Sequence, residues 1–215
     1  MKSIRIIISS VLLSGVALLS AAEVETVPFS AFDGNQKAAV IPEQTVDYGR
    51  FTIAPSQKVQ WKIVPGKQKE NEAFWAVIDE ASILHTTIGM VKLSQPEISL
   101  KQFASGKKLE KLRKSLEHQV KANVGKDKRV QHIRCTSAIK TINGRKGIIL
   151  TISGVDTASS HSKNGTHFKL FVKNFIIVTS DNRMLTIAVT ERFPQASGVM
   201  NHAAVDAFFK AVKLK

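Results

Sequence analysis

Two kinds of apolar patterning divide the chain. Runs rich in Val, Ile, Thr and aromatic residues read as strands at Arg50–Ala54, Lys58–Val64, Ala73–Ile78 and His85–Leu93, punctuated by Pro55, Pro65–Gly66 and Asp79–Glu80. A helical period follows, with Leu109, Leu112, Leu116 and Val120 on one stripe. Ser99 with Gln102 three residues on predicts a capping box at its start, and Gly125 a glycine stop at its end. Leu100 and Phe103 lie off the leucine stripe, which predicts a break at Ser105–Gly106. The second half returns to strands. Arg129–Ile142 and Arg145–Gly154 flank Asn143–Gly144, a strong hairpin signal. After a polar loop over Val155–Gly165 come His167–Thr179 and Arg183–Thr190, joined by Ser180–Asp181–Asn182. Phe168, Leu170 and Val172 take one phase and Phe175 and Ile177 the other, which predicts a bulge near Lys173–Asn174. Leu185, Ile187 and Val189 share a face. A last helix, from about Asn201 to Val212, carries the stripe Val205, Phe208, Phe209 and Val212.

This order of strands, helix, strand meander and helix predicts an α+β fold: an antiparallel sheet flanked by helices, an α/β/α sandwich. Residues 48–215 read as a single domain, and Glu23–Asp47 as an extended or partly disordered lead-in with Pro28, Pro42 and a Gly34–Asn35 turn. Residues 1–22 have a different pattern. Lys2 and Arg5 precede an uncharged apolar run, Ile6 to Leu19, and small residues stand at Ser20 and Ala22. That is the three-part form of a secretory signal peptide cleaved near Ala22. The run is short for a membrane span, and no Cys follows it for a lipoprotein anchor. The expectation is an exported protein, periplasmic or secreted.

Composition adds two points. The formal net charge of +14 falls to +12 when Lys2 and Arg5 leave with the signal, which favours polyanions or anionic surfaces as partners. A single cysteine, Cys135, rules out an intramolecular disulfide. It shares a strand face with Ile133 and Ile139, and reads as a small buried hydrophobe rather than a reactive thiol.

Several segments together resemble the PsbP-like superfamily of α/β/α sandwiches, which includes the extrinsic photosystem subunit and small bacterial exported proteins. Phe51, Ile53, Pro55 and Trp61 are similar to that family's first hairpin, and Ile98 to Ala104 to its lead into the first long helix. Arg183–Pro194 and Val205–Leu214 look like its last strand and final helix. The resemblance spans about residues 46 to 214. It implies the sandwich fold and an accessory, non-enzymatic role. No position matches a defined ligand site of the family, and nothing points to a photosynthetic setting.

Motifs with catalytic form lack their context. Ser105–Lys108, Ser137–Lys140 and Ser160–Lys163 each fit S-x-x-K, and Ser180–Asp181–Asn182 fits S-D-N. No K-T-G follows, and a motif counts only in its structural setting. The six histidines form no tight metal pattern; His161 and His167, with Asp156 nearby, are the one pair that loop geometry would have to bring together. There is no phosphate loop. Asn164–Gly165–Thr166 fits a glycosylation sequon, relevant only to a eukaryotic secretory route. No catalytic residue, metal or cofactor is expected.

The basic helix offers the candidate site. Lys107, Lys111, Lys114, His118 and Lys121 recur at helical spacing opposite the leucines. Glu110–Lys114 and Glu117–Lys121 are favourable i, i+4 pairs, which leaves Lys107, Lys108, Lys111 and Arg113 as candidate anion-binding residues. The same row also reads as a solvated face. The functional expectation is an exported non-catalytic accessory protein docking to a larger envelope or secreted partner. The alternative is a binder of anionic lipid or polysaccharide through this helix. Few aromatics interleave with the charges, so nucleic acid is not an expected partner.

Overall fold

The computed structural model describes residues 41–56, 59–63, 68, 70–77, 86–94, 98–124, 130–156, 168–194 and 202–215. The signal-like segment 1–22, most of the lead-in, and His85, His161 and His167 lie outside them, as do Ser160–Lys163 and the sequon.

In chain order the elements are β1 (Val46–Asp47), β2 (Phe51–Ile53), β3 (Lys62–Ile63), β4 (Glu72–Val77), β5 (Thr86–Ser94), α1 (Leu100–Ala104), α2 (Gly106–Val124), β6 (Val130–Ile142), β7 (Arg145–Asp156), β8 (Phe168–Val178), β9 (Met184–Pro194), α3 (His202–Ala211) and β10 (Val212–Leu214). Seven strands form one antiparallel sheet in the order β3-β4-β5-β9-β8-β7-β6, and β1, β2 and β10 form a second, small one. Helices α1 and α2 cover one face of the large sheet and α3 the other, so the molecule is an α+β protein with an α/β/α layering.

Local chemistry sets the elements. Ser99 and Gln102 make the reciprocal capping box of α1. Ser105 then takes an extended conformation, ψ 119°, and breaks α1 from α2. The start of α1 is also tied to the β8–β9 turn: the Leu100 amide donates to Asn182 Oδ1 at 2.7 Å. Asn143 and Gly144, at φ 49° and 73°, form the two-residue turn between β6 and β7. The Asn143 amide nitrogen reaches the end of α3 and the start of β10, donating to the Lys210 and Val212 carbonyls at 3.2 and 2.9 Å. The Lys210 bond satisfies a carbonyl that a helix end leaves open.

Two details differ from the sequence reading. β8 carries no bulge: its registers with β7 and β9 run unbroken. Leu170, Val172 and Ile176 face α2, while Phe171, Phe175 and Ile177 face the α3 side. A strand buried on both faces has no polar phase to keep, so the change of apolar phase is continuous alternation. Val212 closes the stripe of α3 but belongs to β10, where it pairs with Ile53. The end of the lead-in is extended, as one of the two forms expected of it: Val46 pairs with Ile53 from the other side.

Candidate anion-binding face on the second helix

Leu109, Leu116 and Val120 of α2 are buried, with Leu112 packed beside them, against Ile148, Leu150, Ile152, Leu170 and Val172 of the sheet. The opposite side of the helix presents Lys107, Lys111, Lys114 and His118, with Lys108 on its flank, all exposed. Among the described residues no acid lies within ion-pairing distance of these four lysines.

Arg113, of the predicted set, is paired rather than free. At 3.6 residues per turn it falls only about 55° from the centre of the leucine stripe, on the border between helix and sheet. Its side chain is 17% exposed. Nε and Nη2 donate to the two Glu110 oxygens at 2.8 and 2.6 Å, and Nη1 reaches Glu117 Oε2 at 3.3 Å. Nη1 also donates to the Ser137 carbonyl of β6 at 3.1 Å and to the Ser137 hydroxyl. That hydroxyl in turn donates to Glu117. The second Glu117 oxygen accepts from Lys121 at 2.6 Å. Glu110 therefore makes its direct ion pair with Arg113, while Lys114 stays beyond ion-pairing distance and acts on Glu110 as a nearby charge.

The electrostatics of this clasp follow from its bonds. The Arg113 guanidinium holds Glu110 below the usual glutamate range, and the Lys121 and Ser137 donors do the same for Glu117. Glu110 and Glu117 raise Arg113 and Lys121 reciprocally. Beside the clasp, Cys135 is buried, and desolvation pushes its thiol up to about 11. The Glu110–Arg113–Glu117 spacing was legible on the helix. Ser137, 24 residues from Arg113, was reachable only through the fold.

The other candidate motifs do not assemble. Along a strand, residues three apart point to opposite faces, so Ser137 turns toward α2 and Lys140 away from it. Ser180, Asp181 and Asn182 form the β8–β9 turn, where Asp181 pairs with Arg183 at 3.2 Å and Arg50 at 3.5 Å. No cluster of three or more metal-ligating side chains occurs among the described residues. No helix among them is long and apolar enough to cross a membrane. A cavity of about 390 Å³ lies between the small sheet and β3, lined by Tyr48, Ile63, Gln68 and Glu70 among others. Its polar groups bond one another: Trp75 Nε1 donates to Tyr48 Oη at 2.8 Å, and Tyr48 donates to Gln68 Oε1 at 2.7 Å.

No family model and no curated protein matches the sequence. Solved structures are similar, two among them as follows. LpqN, involved in cell envelope biogenesis of Mycobacterium tuberculosis, matches at 10% identity over 82% of this chain and 81% of its own, with a TM-score of 0.35. A point mutant of the protein Mog1 matches at 10% identity over 80% of this chain and 95% of its own, with a TM-score of 0.40. The sandwich layering that the PsbP-like resemblance implied rests on the strand order and helix placement above.

Proposed function

We propose that this chain is an exported, non-catalytic binding protein of the cell envelope, of PsbP-like build. Its α2 lysine row meets an anionic lipid or polysaccharide surface. The observation that carries this reading is that Lys107, Lys108, Lys111 and Lys114 are exposed, with no acid of the described residues within ion-pairing distance, although Glu110 feels the Lys114 charge. The apolar side of the same helix is fixed to the core. Each cation held near an anionic surface contributes about 1 kcal/mol, so all four amount to about 4 kcal/mol. The separation of Ser137 from Lys140 supports the non-catalytic part. The signal-like pattern of residues 1–22 supports export, and mass spectrometry of the exported protein should find Glu23 at its N-terminus.

The test is retention on heparin and sedimentation with anionic liposomes, comparing wild type with a variant carrying Gln at all four positions. The variant should elute at clearly lower salt while keeping its fold, because exposed positions contribute little to stability. Unchanged retention with retained folding would reduce the row to a solvated face. A second reading, docking to a larger envelope protein, is favoured by the position of β6 at the edge of the large sheet. A salt-resistant protein partner captured from envelope extract would speak for it.

A further inference from the structure

The two-residue turn at Asn143–Gly144 fixes which backbone groups of β6 face outward. In such a turn the flanking residues, here Ile142 and Arg145, exchange both hydrogen bonds. Pairs alternate along an antiparallel ladder, so Lys140, Ala138 and Thr136 bond to β7. Ile139, Ser137 and Cys135 then turn their N–H and C=O groups to the free edge. The Arg113 bond to the Ser137 carbonyl agrees with this phase. Among the described residues no strand lies beyond β6, whose regular stretch runs from Arg134 to Ile142 after a register shift between Gln131 and Arg134, where His132 has φ 53°. A long unpaired edge is a template for strand addition unless something blunts it. Here the irregularity at Gln131–Arg134 closes the edge at its N-terminal end, and among the described residues the guanidinium covers the remaining stretch at Ser137.

We propose that the free edge of β6 is a docking edge for an extended, acidic segment of a partner protein, latched at its centre by Arg113. Arg134 and Lys140 stand exposed on the face away from α2, three residues to either side of Ser137. They are about 20 Å apart at 3.4 Å per residue. A second copy of β6, antiparallel and centred on Ser137, would set Arg134 against Lys140 twice, and like charges directly opposite destabilise a strand pair. A strand carrying carboxylates six residues apart meets both cations. Its backbone takes the outward groups of Cys135 and Ile139 and competes with Arg113 for the Ser137 carbonyl. Glu110 and Glu117 hold the displaced guanidinium, so the latch opens without stranding a charge. This inference rests on the protein-docking reading and is independent of the lysine row.

The probe is a fluorescein-labelled, capped nine-residue peptide of alternating valine and threonine with glutamates six positions apart. A lysine-substituted peptide is the control. Fluorescence anisotropy should show weak binding to wild type and about tenfold tighter binding to Arg113→Met, which keeps the aliphatic packing and removes the competing charged hydrogen bond. Adding Arg134→Glu and Lys140→Glu should abolish binding of the acidic peptide and create binding of the lysine peptide. On wild type, the peptide should slow amide hydrogen exchange at Cys135, Ser137 and Ile139; this readout decides the matter even where Arg113→Met fails to fold. Absence of that protection at saturating peptide would overturn the proposal. Equal affinity for wild type and folded Arg113→Met would overturn the latch. Self-association of Arg113→Met would assign the edge to a second copy and overturn the acidic occupant. The four-Gln lysine-row variant should keep its peptide affinity; loss there would place the peptide on α2 instead. Failure of the peptide experiment leaves the heparin result standing, so the two readings fail separately.

Discussion

Gly89→Ala should be among the most damaging small substitutions in this protein. Gly89 lies in β5, directly beneath the ring of Phe208 from α3. A Cβ at position 89 would stand 2.5 Å from Phe208 Cζ and 2.7 Å from both Cε atoms. Ordinary contact begins at 3.4 Å, so the ring would have to retreat by about 0.9 Å. It has little room. Trp61 lies against it at a centroid distance of 4.5 Å, and Trp75 meets it edge-on at 6.4 Å. Retreat of the whole helix is resisted by the Asn143 bonds to the Lys210 and Val212 carbonyls and by β10, which continues from it into the small sheet. Overpacking of this kind costs about 1–3 kcal/mol. The gain from removing a strand glycine, about 0.5–1 kcal/mol, offsets part of it. Because the ring is hemmed in, the upper part of the overpacking range, about 2–3 kcal/mol, applies, and the expected net loss is about 1–2.5 kcal/mol. Urea unfolding followed by tryptophan fluorescence measures it, since the chain's two tryptophans flank the ring; the midpoint should fall with the slope unchanged. Phe208→Leu alone opens a cavity, yet combined with Gly89→Ala it should lose at least about 1 kcal/mol less than the sum of the two. A Gly89→Ala midpoint equal to wild type, or strict additivity in the double variant, would refute the packing argument.

Other consequences can be measured on the same protein. Cys135, with its thiol at about 11, should stay unlabelled by thiol reagents at neutral pH and react only on unfolding; rapid native labelling would mean that β6 is set in the wrong register. Glu110 and Glu117 have folded pKa values below the ordinary 4.5, so their clasp stabilises the protein above that pH and the contribution is lost as pH falls through the lowered values. Acid titration of wild type against Glu110→Gln/Glu117→Gln should therefore show the larger loss of stability in wild type below about pH 4.5. Parallel curves would mean that the clasp contributes nothing.

Much of this architecture is written in the chain as local pattern. Ser99 and Gln102 specify their capping box within four residues. The phase change between Phe103 and Leu109 demands the break at Ser105. Asn143–Gly144 both makes the hairpin and, through its turn type, dictates which edge groups of β6 face outward. Such features depend on neighbours along the chain, so residue identity and spacing determine them. The lysine row on α2 was legible for the same reason, as a helical period opposite a leucine stripe.

What the fold alone decided involves residues far apart in sequence. A helical wheel places Arg113 near the stripe and within reach of Glu110 and Glu117, but only the packing of α2 on β6 brings Ser137 to its guanidinium and closes the clasp. The apolar phases of β8 looked like a bulge until helices covered both faces of the sheet. Burial on two sides removes the polar phase from which a single-faced strand is read. Likewise Gly89, unremarkable in its strand, acquires its meaning from Phe208, more than a hundred residues away. Local sequence sets which elements form and where they end. Which side chains meet across them depends on how the layers stack, because packing and shared hydrogen bonds act between neighbours in space.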